Sequence, residues 1–246
     1  MAAHDVRKPI CMALAILLCA GVWSLSAADE TLRGYTANDG YQYVELGVYP
    51  QTLEGGREPI VWRVLYADAQ TALLLSEYVL FHHRIHYDDT AYAQSSGAFE
   101  TTELYAYLNG EFLECFSDDE QALMTADETG GRITLLTRDD LKNKAYGFTG
   151  DTARRGYPTA YAVQNGLFQY TNGSSPYWTR TQSTSRDYGA VCTKEDGNLG
   201  YIRVMVQNEG CRPAVYLDVH RLMIQSGSGT KADPFVLTLQ NDRSIV

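Results

Sequence analysis

Two apolar rhythms run along the chain. Residues 43–49, 60–66 and 71–76 are short apolar, β-branched runs bounded by turn residues, a pattern that predicts strands. Pro50 stops the first strand, Glu54-Gly55-Gly56 turns the chain, and Ala67-Asp68-Ala69-Gln70 joins the next two strands as a hairpin. Trp62, inside the second run, is expected to anchor the core. Residues 81–99 read as irregular. From 102 to 115 the period changes, and Leu104, Leu108, Phe112 and Cys115 recur at helical spacing. Ser117 and Glu120 form a capping box that starts a short helix ending near Met124. Residues 132–136 read as a strand and 138–145 as a third short helix.

Beyond Phe148 the pattern loosens, and residues 156–187 are rich in Tyr, Thr, Ser, Gln, Asn and Gly. Asn172-Gly173 is a tight-turn signal. Strands are expected at 177–181, 188–193, 200–206 and 212–217, with turns at Asp196-Gly197 and Asn208-Glu209-Gly210. A glycine-led turn from Gly227 then enters a closing strand at Phe235-Val236-Leu237. Strands at both ends enclose a helical middle, which is an α+β pattern. Neither a repeat nor a dividing linker is visible, so residues 43–246 read as a single domain behind a loose, polar lead-in at 29–42.

The first residues change the address. Arg7 and Lys8 precede an apolar run from Ile10 to Trp23, and Ser26-Ala27-Ala28 supplies small residues where a signal peptidase reads. Residues 1–28 are therefore expected to be a cleaved signal peptide, and the protein to be exported: periplasmic, extracellular or on the cell surface. The run is short for a membrane anchor, so no span is expected in the mature chain. A lipid anchor at Cys19 would place Leu18 where a small residue is expected. The formal net charge of −10 argues against nucleic-acid and anionic-membrane partners, which need clustered Lys and Arg. Export leaves Cys115, Cys192 and Cys211. Cys192 and Cys211 lie on neighbouring predicted strands, and a disulfide between them and three unrelated buried thiols are both open readings.

Several motifs spread over residues 43–219 carry a resemblance. They include Leu46-Gly47-x-Tyr49-Pro50-Gln51, Trp62-Arg63-Val64-Leu65, Leu74-Leu75-Ser76-Glu77-Tyr78, Leu108-Asn109-x-x-Phe112 and Leu135-Leu136-Thr137. Further on are Pro158-Thr159-Ala160-Tyr161-Ala162, Trp178-Thr179-Arg180-Thr181 and Arg212-Pro213-Ala214. In this order they resemble a family of exported bacterial domains of unknown function whose fold is similar to C-type lectins and formylglycine-generating enzymes. The resemblance implies a twisted antiparallel core, two to three packed helices and long irregular loops. It brings no established activity.

The candidate chemistry is correspondingly thin. A formylglycine-generating reaction needs a copper-binding cysteine pair, and the residues around Cys192 and Cys211 do not match that pattern. His82, His83 and His86, followed by Asp88 and Asp89, are the densest group of metal-ligand types, against the alternative of a solvated polar loop. They would centre a metal-dependent enzyme if their rings converged. Glu195-Asp196-Gly197-Asn198 is acidic enough to consider for calcium but reads first as a hairpin turn. Arg180 and Arg212 sit in apolar strand motifs, and a structural role is favoured for both. No cofactor is expected. The compositional signal is the aromatic, amide- and hydroxyl-rich stretch 156–187, a chemistry suited to binding surfaces. Phe168, Tyr170 and Tyr188, with the amide of Asn172, are the residues expected to meet a glycan, a peptide or a cell-surface protein. Trp178 and Tyr161 are expected in the core.

Overall fold

Alternation of apolar side chains builds the main sheet. The structure is a computed structural model that describes residues 31–240; the expected leader at 1–28 lies outside them. Strands β1 (Tyr43–Pro50), β2 (Arg57–Ala67) and β3 (Thr71–Ser76) form an antiparallel meander. The β2–β3 hairpin is closed by Asp68, whose Oδ1 accepts the Gln70 and Thr71 N–H groups, each at 2.8 Å. A bulge in β1 falls at Gly47, which has φ +71°. Its N–H donates to Glu120 Oε1 at 2.7 Å, and a Cβ there would meet the Phe116 ring at 2.6 Å. Trp62 is fully buried and donates Nε1–H to the Leu46 carbonyl at 2.8 Å.

Next come β4 (Phe81–His82) and the helices α1 (Asp89–Gln94), α2 (Glu103–Asn109) and α3 (Asp118–Leu123). Two short strands follow, β5 (Met124–Thr125) and β6 (Ile133–Thr134), then α4 (Ala160–Gln164). The C-terminal part holds β7 (Trp178–Gln182), β8 (Gly189–Thr193), β9 (Leu199–Arg203), β10 (Gly210–Cys211), β11 (Ala214–Asp218), β12 (Leu222–Ser226) and β13 (Phe235–Leu239). The eight-stranded main sheet runs β12-β13-β1-β2-β3-β11, and the short β5 and β6 share the far side of β11. Its neighbours are antiparallel except β1 and β13, which are parallel. Strands β7, β8 and β9 make a second sheet, and β4 pairs with β10. The fold is α+β, with open, largely antiparallel sheets and few helices. Among the described residues no helix is long and apolar enough to cross a membrane.

Successive strand residues point opposite ways, and the central strands of the main sheet bury side chains on both faces. Leu74, Val215 and Leu217 join Trp62 and the α1–α3 side chains in the larger core cluster. Leu73, Leu75 and Ala214 join Leu141, Phe148 and Tyr177 in a smaller one. Polar links cross the sheet's margin. Arg63 Nε and Lys231 Nζ donate to the two carboxylate oxygens of Glu77 at 2.7 and 2.8 Å. Arg212 is 1% exposed and donates to the carbonyls of Ser76 and Glu77 at 2.8 and 3.2 Å, which is the structural role expected of it.

Several expectations need correction. The helix predicted over 102–115 ends at Asn109, where Gly110 breaks it, and Leu113–Cys115 is a 3-10 turn. Leu104, Leu108 and Phe112 still face the core, while Cys115 is half-buried. The third helix is instead two 3-10 turns, Asp140–Lys142 and Lys144–Tyr146. Here Asn143 Oδ1 accepts the Ala145 N–H, a local bond that competes with helix continuation. The segment expected to be irregular contains α1, capped by Asp88 Oδ1 accepting the Thr90 and Ala91 N–H groups. The lead-in is not loose where it is described: Leu32 is in the core, and the Tyr35 N–H donates to Leu65 O.

Candidate functional site

Two turns face each other across a cleft of about 520 Å³ lined by Arg155, Tyr170, Asn172, Lys194, Glu195 and Asp196. One turn follows α4. In it the Tyr170 N–H donates to Ser174 O at 2.8 Å, and Gly173 holds φ +82°. The other is the β8–β9 hairpin, in which the Lys194 N–H donates to Asn198 O at 2.8 Å. Asp196 closes that hairpin by accepting Asn198 N–H and Nδ2–H. These bonds hold the exposed Asp196 carboxyl below the usual carboxylate range.

The two turns are fastened together through hairpin carbonyls. Asn172 Nδ2 donates to Glu195 O at 3.0 Å, and Arg155 Nε donates to the same oxygen at 3.1 Å. Arg154 Nε donates to Gly197 O at 2.9 Å. Asn172 Oδ1 accepts the Ser174 N–H and hydroxyl, so both ends of this amide are engaged within the protein. Asn172 therefore shapes the cleft that it lines.

Tyr170 forms one wall, edge-to-face with Phe168 at 5.0 Å between ring centroids. Phe168 is 46% exposed, and its N–H is tied to Asn208 O at 3.1 Å. Burial pushes the Tyr170 phenol up to about 12, with the Glu209 carboxylate adding to the rise. Glu209 itself is 5% exposed, and its Oε2 has no hydrogen-bond partner. Burial raises its carboxyl to about 7, although Lys194 pulls the other way. A desolvated acid thus stands behind a cleft whose rim carries two cations and two anions.

The expected site residues divide. Phe168, Tyr170 and Asn172 share the turn after α4. Tyr188 does not join them: it precedes β8, while the cleft follows it, about 20 Å away at the rise of an extended strand. Its ring instead lies beneath Arg203, 5.7 Å from the guanidinium. Tyr161 is half-buried against Tyr49, and Trp178 is buried. Glu195 and Asp196 read in the sequence only as a calcium loop or a hairpin turn, and Arg155 and Lys194 were missed because nothing in their local sequence marks them.

The histidines do not converge. His82 places its ring nitrogens 2.6 and 2.7 Å from the carbonyls of Gln207 and Asn165. His83 stacks on Tyr107, and His86 is buried against Tyr87, accepting the Asp88 N–H. Among the described residues no group of three or more His, Cys, Asp or Glu is placed to hold a metal ion. Cys115, Cys192 and Cys211 are free thiols, so of the two open readings the structure has the unpaired one, and the candidate Cys192–Cys211 disulfide is not formed. They sit in different sheets because the Tyr177-Trp178 segment lies between them, Trp178 pairing with Cys192 and Tyr177 bridging to Gly210. Burial pushes the Cys192 thiol up to about 12 and raises the Cys211 thiol well above its ordinary value, so neither is a ready thiolate. No family model matches the chain, and comparison with curated proteins and with solved structures finds no significant match to either.

Proposed function

We propose that the protein is an exported, non-catalytic binding module of C-type-lectin-like kind, which engages a glycan or peptide on a partner's surface through the Phe168–Tyr170 cleft. The observation that carries this reading is the cleft's composition: half-buried Tyr170, packed edge-to-face on the exposed Phe168 ring, lines it together with Arg155, Lys194, Glu195 and Asp196. Aromatic rings give contact area at low entropic cost, and charges of both signs select orientation. Hydrogen bonds from Arg154, Arg155 and Asn172 hold the two turns in place before any ligand arrives, and preformed loops bind at lower entropic cost. The apolar leader-like sequence at 10–23 supports export.

The test is binding of the purified protein to glycan and peptide arrays, followed by titration of the best ligand against Phe168→Ala, Tyr170→Ala and Tyr188→Ala. The first two variants should weaken binding at least about tenfold, as removal of aromatic anchors does. Tyr188→Ala should leave it unchanged. Equal effects of all three, or arrays with no ligand, would overturn the reading.

A further inference from the structure

Strand register places a partner beside the buried Glu209 carboxyl. The Thr193 N–H donates to Tyr177 O at 3.0 Å, and on its other side Tyr177 forms a parallel bridge with Gly210. One step further along, Lys194 follows β8 and Glu209 precedes β10, so the two stand level with Pro176, one on each side of it. The Gly210 N–H, donating to Pro176 O at 3.1 Å, fixes that level. About 10 Å, two strand spacings, separates the two backbones, a gap that a lysine and a glutamate side chain span together.

Both side chains leave by the same face. Lys194 lies two residues beyond Cys192, Glu209 two before Cys211, and both thiols belong to the larger core cluster. The course of the lysine agrees. Gly200 is the cross-strand partner of Cys192, and a Cβ there would meet Lys194 Cγ at 3.4 Å, Cδ at 3.5 Å and Cε at 2.6 Å. The stem thus lies flat on the sheet, in a seat that exists because residue 200 has no side chain. Lys194 also lines the cleft, and it joins none of the ion pairs among the described residues. Its ammonium therefore has two places to serve, the rim of the cleft and the acid behind it.

Glu209 Oε2 is buried without a partner, which a neutral acid tolerates and a carboxylate does not. The groups packed around it offer it no other cation. Tyr170 from the turn after α4, Cys192 on β8 and Cys211 on β10 are each pushed up by burial and by Glu209 itself. His83 presents its backbone N–H to Glu209 O at 3.1 Å and its ring to Tyr107, and both ring nitrogens of His82 meet the Gln207 and Asn165 carbonyls. Lys194 is the cation that acts on Glu209, whose carboxyl burial raises to about 7. We infer that Glu209 is a proton-operated latch on Lys194: protonated, it leaves the ammonium at the rim to receive an acidic group of the ligand, and ionised, it draws the ammonium inward. The rim then keeps Arg155 against Glu195 and Asp196 and disfavours an anion. The part concerning ligand rests on the cleft being the binding site; the latch itself does not.

The experiment follows the Glu209 carboxyl carbon and the backbone amides of ¹³C,¹⁵N-labelled protein between about pH 5 and about pH 9, without ligand. The carboxyl should titrate near about 7, and the amides of Lys194 to Asn198 should share its midpoint. Glu209→Gln should abolish that midpoint in the amides, whereas a response owed to the histidines would survive the change. Lys194→Met should raise the carboxyl midpoint by about half a pH unit or more, and so should Gly200→Ala, which unseats the stem and keeps both charges. N-acetylaspartate, as an acidic probe, should shift the same amides with at least about threefold higher affinity at about pH 6 than at about pH 8, the scale of an exposed ion pair. The inference falls if the Glu209 midpoint ignores both Lys194→Met and Gly200→Ala, or if the amides keep their midpoint in Glu209→Gln. It falls equally if the probe binds alike at the two pH values or not at all. The Lys194→Met titration decides the matter even where Glu209→Gln fails to fold. Arrays that stay silent while these readings hold overturn the function proposed above and not the latch.

Discussion

Glu209 holds its carboxyl where water does not reach, and that sets the sign of a pH effect. Burial raises it from an ordinary 4.5 to about 7. Between these values the unfolded chain has released the proton and the folded chain keeps it, so stability falls as pH rises through the window and levels off above it. The loss is at most about 3.5 kcal/mol, from about 1.4 per pH unit. Glu209→Gln should therefore be more stable than the natural protein at pH 8 and close to it at pH 5, as thermal melts at the two values would show. Glu77 has the opposite sign. Burial would raise it, but Arg63 and Arg212 outweigh that and hold it low, so its contribution is lost as pH falls below about 4.5. Neither group was legible as such in the sequence. Glu209 read as part of a turn, and only the packing around it excludes water.

At the scale of elements, β1 and α3 are joined through one glycine. Gly47 makes the bulge that lets its N–H reach Glu120, and Glu120 Oε2 also accepts the Ser117 N–H at 2.8 Å to complete the capping box. An added Cβ would combine an unfavourable φ with a clash against Phe116. Gly47→Ala should cost about 3 kcal/mol, read as a lower urea midpoint at unchanged slope. Elements with a strong local signal were legible: the Asp68 hairpin, the capping box at Ser117 and Glu120, and the Leu104–Leu108–Phe112 stripe. Those decided by weak, competing local bonds were not, as at Asn143 and at the Asp88 cap of α1. The aromatic half of the candidate site could be read from composition. Its charged half could not, since Arg155 and Lys194 meet only through the fold.

For the whole molecule, the decisive pairing is the parallel one between β1 and β13. Val44 registers with Phe235 and Glu45 with Val236, and α3 packs against β13. The closing strand was legible as a strand, but the apolar run carries no mark of its partner or direction. Removing residues 235–246 should uncover one side of β1, detach β12 and strip α3 of a neighbour. The expected product shows no cooperative urea transition and binds a hydrophobic dye, against a sharp transition for the intact protein. The same pairing bears on timing. A chain made from its N-terminus presents β1 long before β13 exists, and joining strands so far apart in sequence is slow. Until the last strand emerges the sheet has an open border and no finished core, and the polypeptide remains threadable. For the export proposed above, that delay would leave the chain unfolded while it crosses a narrow channel, to take its shape on the far side.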